Sequence, residues 1–148
     1  MTEVTFHFNA PDKKSYACMV VRSVAAKGKR IVVTGDAQLL RELDVALWTF
    51  DALEFLPHCI AAEAPAAVLA ASPVVLAHDA ANAPHHEVLV NLGAQVPEGF
   101  ERFERLVEVV TTGDEDRNEG RARVRHYKDR GYAMRHYNVA TREMAATR

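Results

Sequence analysis

The stretch that most constrains the fold is Arg30 to Thr34, a β-branched apolar run between Gly28 and Gly35. Such a run reads as a buried strand, with Gly28 ending the helix before it and Asp36 placed to cap the helix after it. Leu40, Leu43 and Leu47 then recur at helical spacing, and Trp48 closes the helix. Phe50, Leu53 and Phe55 follow before Pro57 and His58, which is more aromatic surface than a loop needs. A strand so tightly bracketed by helices belongs to a layered α/β arrangement.

The flanking sequence extends that pattern. Val4, Phe6 and Phe8 alternate with Thr5 and His7, the period of a strand with one buried face, so His7 points away from the phenylalanines. Asn9 and Pro11 can start a helix whose inner face carries Tyr16, Met19, Val20 and Val24 and which ends at Gly28. The crossover is long enough to make the two strands parallel, a βαβ unit. Downstream, Glu54 to Leu56, Pro73 to Ala77, Val88 to Leu92 and Leu106 to Val110 read as further strands, the last of these closing the sheet. Pro97, Glu98 and Gly99 make a turn, and Phe100 and Phe103 begin a short helical turn. The rest of 61–87, rich in Ala and Pro, reads as loop. The expected fold is α/β with a mainly parallel sheet.

The final helix is expected from Asp114 to about Gly131, with Asp114, Glu115 and Asp116 favourably placed against the positive end of its dipole. Arg117, Arg121, Arg125 and Lys128 recur along it within an arc of roughly 80°, with Val124 beside them. Like charges at that spacing repel by a few tenths of a kcal/mol per pair, so either solvent or a bound anion must share the stripe. From Arg117 to Arg148 nine Lys or Arg face three Asp or Glu, whereas the chain as a whole carries a net charge of -2. A basic segment on an otherwise acidic chain suits an anionic partner, nucleic acid or acidic peptide, unless it is merely a solvated tail. Residues 1–132 are expected to form one α/β domain, and 133–148, which lack a periodic apolar face, a flexible C-terminal tail.

Enzyme chemistry finds little footing. Gly28, Lys29 and Arg30 end a helix and lack the remainder of a phosphate-binding loop, and no G-x-G-x-x-G follows the first strand. Ser15, Ser23 and Ser72 stand in no nucleophile-elbow context. None of the seven histidines pairs with another at helical metal spacing, and His85 with His86, or His58 with Cys59, are neighbours whose side chains diverge. No catalytic residue, metal or cofactor is expected. The start, MTEVTFHF, has neither the basic opening nor the apolar block of a signal peptide, and Cys18 and Cys59 suit reduced thiols, so a cytoplasmic, non-membrane location is expected.

With these residues in view, the sequence resembles the family of chi subunits of bacterial DNA polymerase III. The resemblance runs through TFHF at 5–8, GKRIVV at 28–33, LDVALW at 43–48, EFLPH at 54–58, PVVLA at 73–77, VLVNL at 88–92, EVV at 108–110 and RARVRHYKDRGY at 121–132. LDxALW followed by FxPH is its specific part; the Ala-rich middle and the tail carry none of it.

The resemblance implies a non-enzymatic adaptor with a three-layer, nucleotide-binding-like (Rossmann-type) α/β fold that lacks a nucleotide site. Chi proteins bind the acidic C-terminal tail of single-stranded-DNA-binding protein, and on another surface the psi subunit that links them to the clamp loader. Some also partner a helicase, and contact with DNA is mainly indirect. Carried over by position, the tail site would use Arg117, Arg121, Val124 and Arg125, with Val110 and Lys128. Guanidinium groups suit the carboxylates and an apolar notch suits a terminal aromatic ring. Val124 stands where relatives carry an aromatic residue, which either deepens the notch or weakens ring stacking. The psi surface would use Trp48, Phe50, Phe55 and Pro57 as interface anchors, with ordinary core burial as the alternative. The alternative is a direct binder of single-stranded nucleic acid, with the basic helix on phosphates and Tyr127, Tyr132 or Tyr137 stacking on bases. An enzyme of the doubly wound class would instead show a closed polar pocket at the ends of the parallel strands.

Overall fold

A computed structural model describes residues 1–49 and 56–147. Its strands are β1 (Glu3–Ala10), β2 (Ile31–Thr34), β3 (His58–Ile60), β4 (Val74–Leu76), β5 (Val88–Asn91), β6 (Arg105–Thr111), β7 (Met134–Asn138) and β8 (Glu143–Thr147). Its helices are α1 (Lys13–Ala26), α2 (Ala37–Thr49), α3 (Ala66–Ala71) and α4 (Asp114–Asp129), with short 3-10 turns at Ala80–Asn82 and Phe100–Arg102. The strands form one eight-stranded sheet in the order β3-β4-β2-β5-β6-β1-β7-β8. Each neighbouring pair is parallel except β7 with β8.

The sheet is the middle of three layers. On one face Ile31 and Val33 of β2 pack with Leu40, Leu43 and Leu47 of α2 and with Val20 and Val21 of α1. On the other, Val32 joins Leu89, Leu106, Val110, Phe100 and Tyr127 beneath α4 and the 3-10 turns. Burial from both sides explains why β2 is continuously apolar rather than alternating. Asp36 caps α2 by accepting from the backbone N–H groups of Gln38 and Leu39 at 3.0 and 3.1 Å, as its position promised. Gly28 takes φ 78° beyond the end of α1, the left-handed conformation that glycine adopts without strain. The α1 crossover joins two parallel strands as expected, but they are not adjacent: β5 and β6 lie between β1 and β2.

Several expectations are corrected. Helix α1 is capped by Asp12, whose carboxylate accepts from Ser15 N at 2.8 Å, while Asn9 sits at φ 61° where the β1 register shifts. Met19 is 52% exposed, because the buried face of α1 centres on Ala17, Val20 and Val21 and Met19 points roughly 140° away from it. Phe50 and Phe55, and Glu54 of the expected strand, lie outside the described residues; the strand there begins at His58. Residues 61–87 contain α3 and a 3-10 turn besides β4. Most consequentially, β6 is not the last strand, and residues beyond 132 are not a loose tail. β7 pairs in parallel with β1, and β8 returns antiparallel to β7. Only Met134 of β7 is buried, so the apolar alternation that marks a strand is missing, although the backbone ladder is there.

Candidate functional site

Helix α4 carries the expected basic stripe, and its seat on the sheet decides what the stripe can do. Its first turn is tied down by Asp116, whose carboxylate accepts from Thr111 N at 2.7 Å and Thr111 Oγ1 at 2.9 Å and pairs with Lys13 at 2.9 Å. Burial alone would raise the Asp116 pKa, but the hydrogen bonds from Thr111 and Lys13 outweigh it and hold the carboxyl below its usual range. One turn on, Gly120 lets the helix press against β6: a Cβ there would lie 2.9 Å from Val110 Cγ2.

The inward side of α4 carries a polar network that sequence reading missed. Glu108 of β6 is fully buried and accepts from Arg123 Nε at 3.0 Å, from Asn91 Nδ2 at 2.9 Å and from the Tyr127 hydroxyl. Arg123 also donates to the Ala94 carbonyl at 2.8 Å. Burial pushes the Glu108 carboxyl up, and the Arg123 charge with these hydrogen bonds opposes that shift. Burial and the neighbouring Glu108 carboxylate raise the Tyr127 phenol. Tyr127 is therefore core and offers no stacking platform, whereas Tyr132 and Tyr137 remain half-buried.

The outward side opens a groove of about 290 Å³ between α4 and the sheet. Phe6, Phe8, Val110, Gly120 and Val124 give it apolar walls, and Arg117, Arg121, Asn9, Thr111 and His136 line it with polar groups. The structure thus brings together Val110, Arg117, Arg121 and Val124 from the expected set, and leaves Arg125 and Lys128 exposed on α4 outside the lining. Arg121 donates to Asn118 Oδ1 at 3.0 Å. Among the described residues none of Arg117, Arg121, Arg125 and Lys128 forms an ion pair. Phe6, Phe8, Asn9, Thr111, Gly120 and His136 were not anticipated as lining. The alternation in β1 already put both phenylalanines on one face, and a glycine inside an amphipathic helix signals close approach. His136 stacks on Phe6 with ring centroids 5.7 Å apart and 16° between planes, and burial lowers its pKa.

A second exposed feature lies at the end of α2. Trp48 is 48% exposed, and its ring centroid is 4.4 Å from that of His58. The buried His58 is held by the Leu56 carbonyl, which accepts from Nδ1 at 2.7 Å, and by the Asp44 carboxylate, 3.1 Å from Nε2. Val45, one turn before Trp48, is 60% exposed, and Pro57 is exposed beside them. Trp48 is thus half outside the core.

At the carboxyl ends of the parallel strands, where folds of this kind hold nucleotides, an open hollow of about 650 Å³ is lined by Asp36, Asp79, Glu98, Asp116 and Glu119, with His78 and with Lys13, which is already paired with Asp116. Carboxylates there repel phosphate rather than cradle it. Among the described residues no three His, Cys, Asp or Glu side chains are grouped to hold a metal.

A family model described as DNA polymerase III chi subunit, HolC, matches residues 1–135. The chain is 26% identical over 144 residues to the DNA polymerase III subunit chi of Pseudomonas aeruginosa, covering 94% of this chain and 98% of that protein. It is 26% identical over 126 residues to the DNA polymerase III subunit chi of Haemophilus influenzae, covering 83% and 85%. With its family match running from β1 into β7, the chain belongs to the DNA polymerase III chi subunit family.

Proposed function

We propose that this chain is a cytoplasmic adaptor in DNA replication whose α4 groove takes the acidic C-terminal tail of single-stranded-DNA-binding protein. It is an accessory, non-catalytic subunit of DNA polymerase III. The observation that carries the reading is the pairing of an apolar notch with two guanidinium groups, Arg117 and Arg121, that no carboxylate of the described chain neutralises. An acidic peptide ending in an aromatic residue and a free carboxylate is complementary to both parts: the ring enters the notch, and the terminal carboxylate meets the guanidinium pair. Arg125 and Lys128, further along α4, then face the acidic residues that precede the ring. At about 290 Å³ the groove is at the small end of ligand sites, suited to a single side chain. Val124 supplies a wall without filling the notch. Titration with a tail peptide, beside a copy lacking its terminal Phe, tests this: micromolar binding that vanishes with the Phe is expected. Equal binding of both peptides, or of neither, would sink it.

The exposed Trp48, with Val45 and Pro57, supports a second surface facing psi, to which the family resemblance adds Phe50 and Phe55. Trp48→Ala is expected to abolish association with a psi partner and leave tail binding unchanged; circular dichroism of the variant separates this from unfolding. The same reading admits a helicase partner and only indirect contact with DNA. Direct binding of single-stranded nucleic acid has lost one of its three stacking tyrosines to the core, and it would show steep salt dependence with any oligonucleotide.

A further inference from the structure

A larger groove, of about 570 Å³, lies on the opposite face of β1 from the one beneath α4. Its floor is Thr5 and His7 of β1 with Met144 and Ala146 of β8, and its wall is α1, through Met19, Val20 and Val24. Met19 and Met144 both line it while remaining 52% and 53% exposed. The cause is in the layering. On this face α1 packs on β6 and β2, and α2 on β3, so the helical layer stops while the sheet runs on through β7 and β8.

Two strands add about 10 Å of sheet beyond β1, the diameter of one helix. A helix laid beside α1 would complete the layer at ordinary helix-to-helix spacing. The two exposed methionines are adaptable apolar contacts for such a guest. The rim selects its charge: Lys27, Arg105 and Arg135 stand against Glu3, which is already engaged with Arg105 at 3.4 Å. We propose that this groove is a docking site for an amphipathic helix of a partner protein, with an apolar stripe on the sheet and acidic residues toward Lys27 and Arg135. This site is separate from the α4 groove and from the Trp48 surface, and its occupant is helical where the tail of the α4 groove is extended.

The test uses the full chain with methionine methyl groups labelled for NMR, since Met1 lies outside the groove while Met19 and Met144 lie in it. The probe is a synthetic helix of about five turns with a leucine stripe and glutamate flanks, beside a copy with lysine in place of glutamate. The expected result is saturable movement of the Met19 and Met144 signals with the acidic helix alone, weakened roughly tenfold by Arg135→Glu at an exposed position of β7, with circular dichroism checking that the variant is folded. Arg121→Ala should leave this binding unchanged. No movement, equal movement with the lysine helix, or stronger movement with a single-stranded oligonucleotide overturns the proposal. Movement with protein concentration alone would assign the groove to a second copy of the chain and overturn it as well.

Discussion

Strand β1 serves two grooves at once: Phe6 and Phe8 line the one beneath α4, and Thr5 and His7 line the one beside α1. The strand is the same, yet the two differ in what the neighbouring helix contributes. Helix α4 brings guanidinium groups that nothing in the described chain neutralises, over a small apolar notch. Helix α1 brings an apolar wall and leaves a broad floor of sheet uncovered. A site dominated by charge discriminates by the partner's carboxylates, and one dominated by shape discriminates by the partner's backbone form. The alternation of a single strand is enough to place both on one small protein.

The comparison can be broken most severely at the seat of α4. Glu108→Ala leaves Arg123 buried without its carboxylate, and a loss of about 3–5 kcal/mol in urea unfolding is expected. A loss below about 1 kcal/mol would mean that the network does not hold the helix. Next, removing both Arg117 and Arg121 by substitution with alanine should weaken the tail peptide by about 3 kcal/mol, roughly a hundredfold, while the helical probe of the α1 groove binds as before. If both ligands weaken together, the two grooves are one site.

A third effect belongs to the α1 side. Burial holds His7 at a pKa of about 4, and its Nδ1 shares a hydrogen bond with the Tyr16 hydroxyl. Because the folded value lies below the unfolded one, near 6.5, protonation favours the unfolded chain. Stability should therefore fall as pH drops from about 6.5 to about 4, by about 2 kcal/mol or more from this group, and level off below. His7→Gln should flatten that limb of a stability profile; an unchanged slope would exonerate His7. The smallest effect is expected from Gly120→Ala. Overpacking against Val110, about 1–3 kcal/mol, is offset in part by the roughly 1 kcal/mol that alanine gains over glycine within a helix. A net loss near 1 kcal/mol with a several-fold weaker tail complex, measured by parallel denaturation and titration, would show that the notch depends on that close approach.

What could be read in advance followed the strength of the local signal. β2 was legible because burial on both sides demands an unbroken apolar run, and the α2 cap because Asp36 directly precedes its helix. The basic stripe on α4 was legible as a period, and it delivered Arg117, Arg121 and Val124 to the groove. Arg123 belongs to the same basic run, but at two residues from Arg121 it is turned roughly 200° around the helix, into the core. Only its buried partner Glu108, an acid inside an otherwise apolar strand, could have flagged it. Asn9 and His136 were invisible as site residues because each depends on pairing across the sheet, between segments far apart in sequence. α3 escaped for another reason: a helix of six residues with none buried has no apolar stripe to detect.

The pairing of β7 along β1 sets where this protein can be shortened. A chain cut after Tyr132 would lose β7 and β8 and leave β1 with a row of unpaired backbone groups along its outer side. That bare edge, carrying Val4, Phe6 and Phe8, is a template for strand-to-strand aggregation, so the final residues act as the sheet's protective hem.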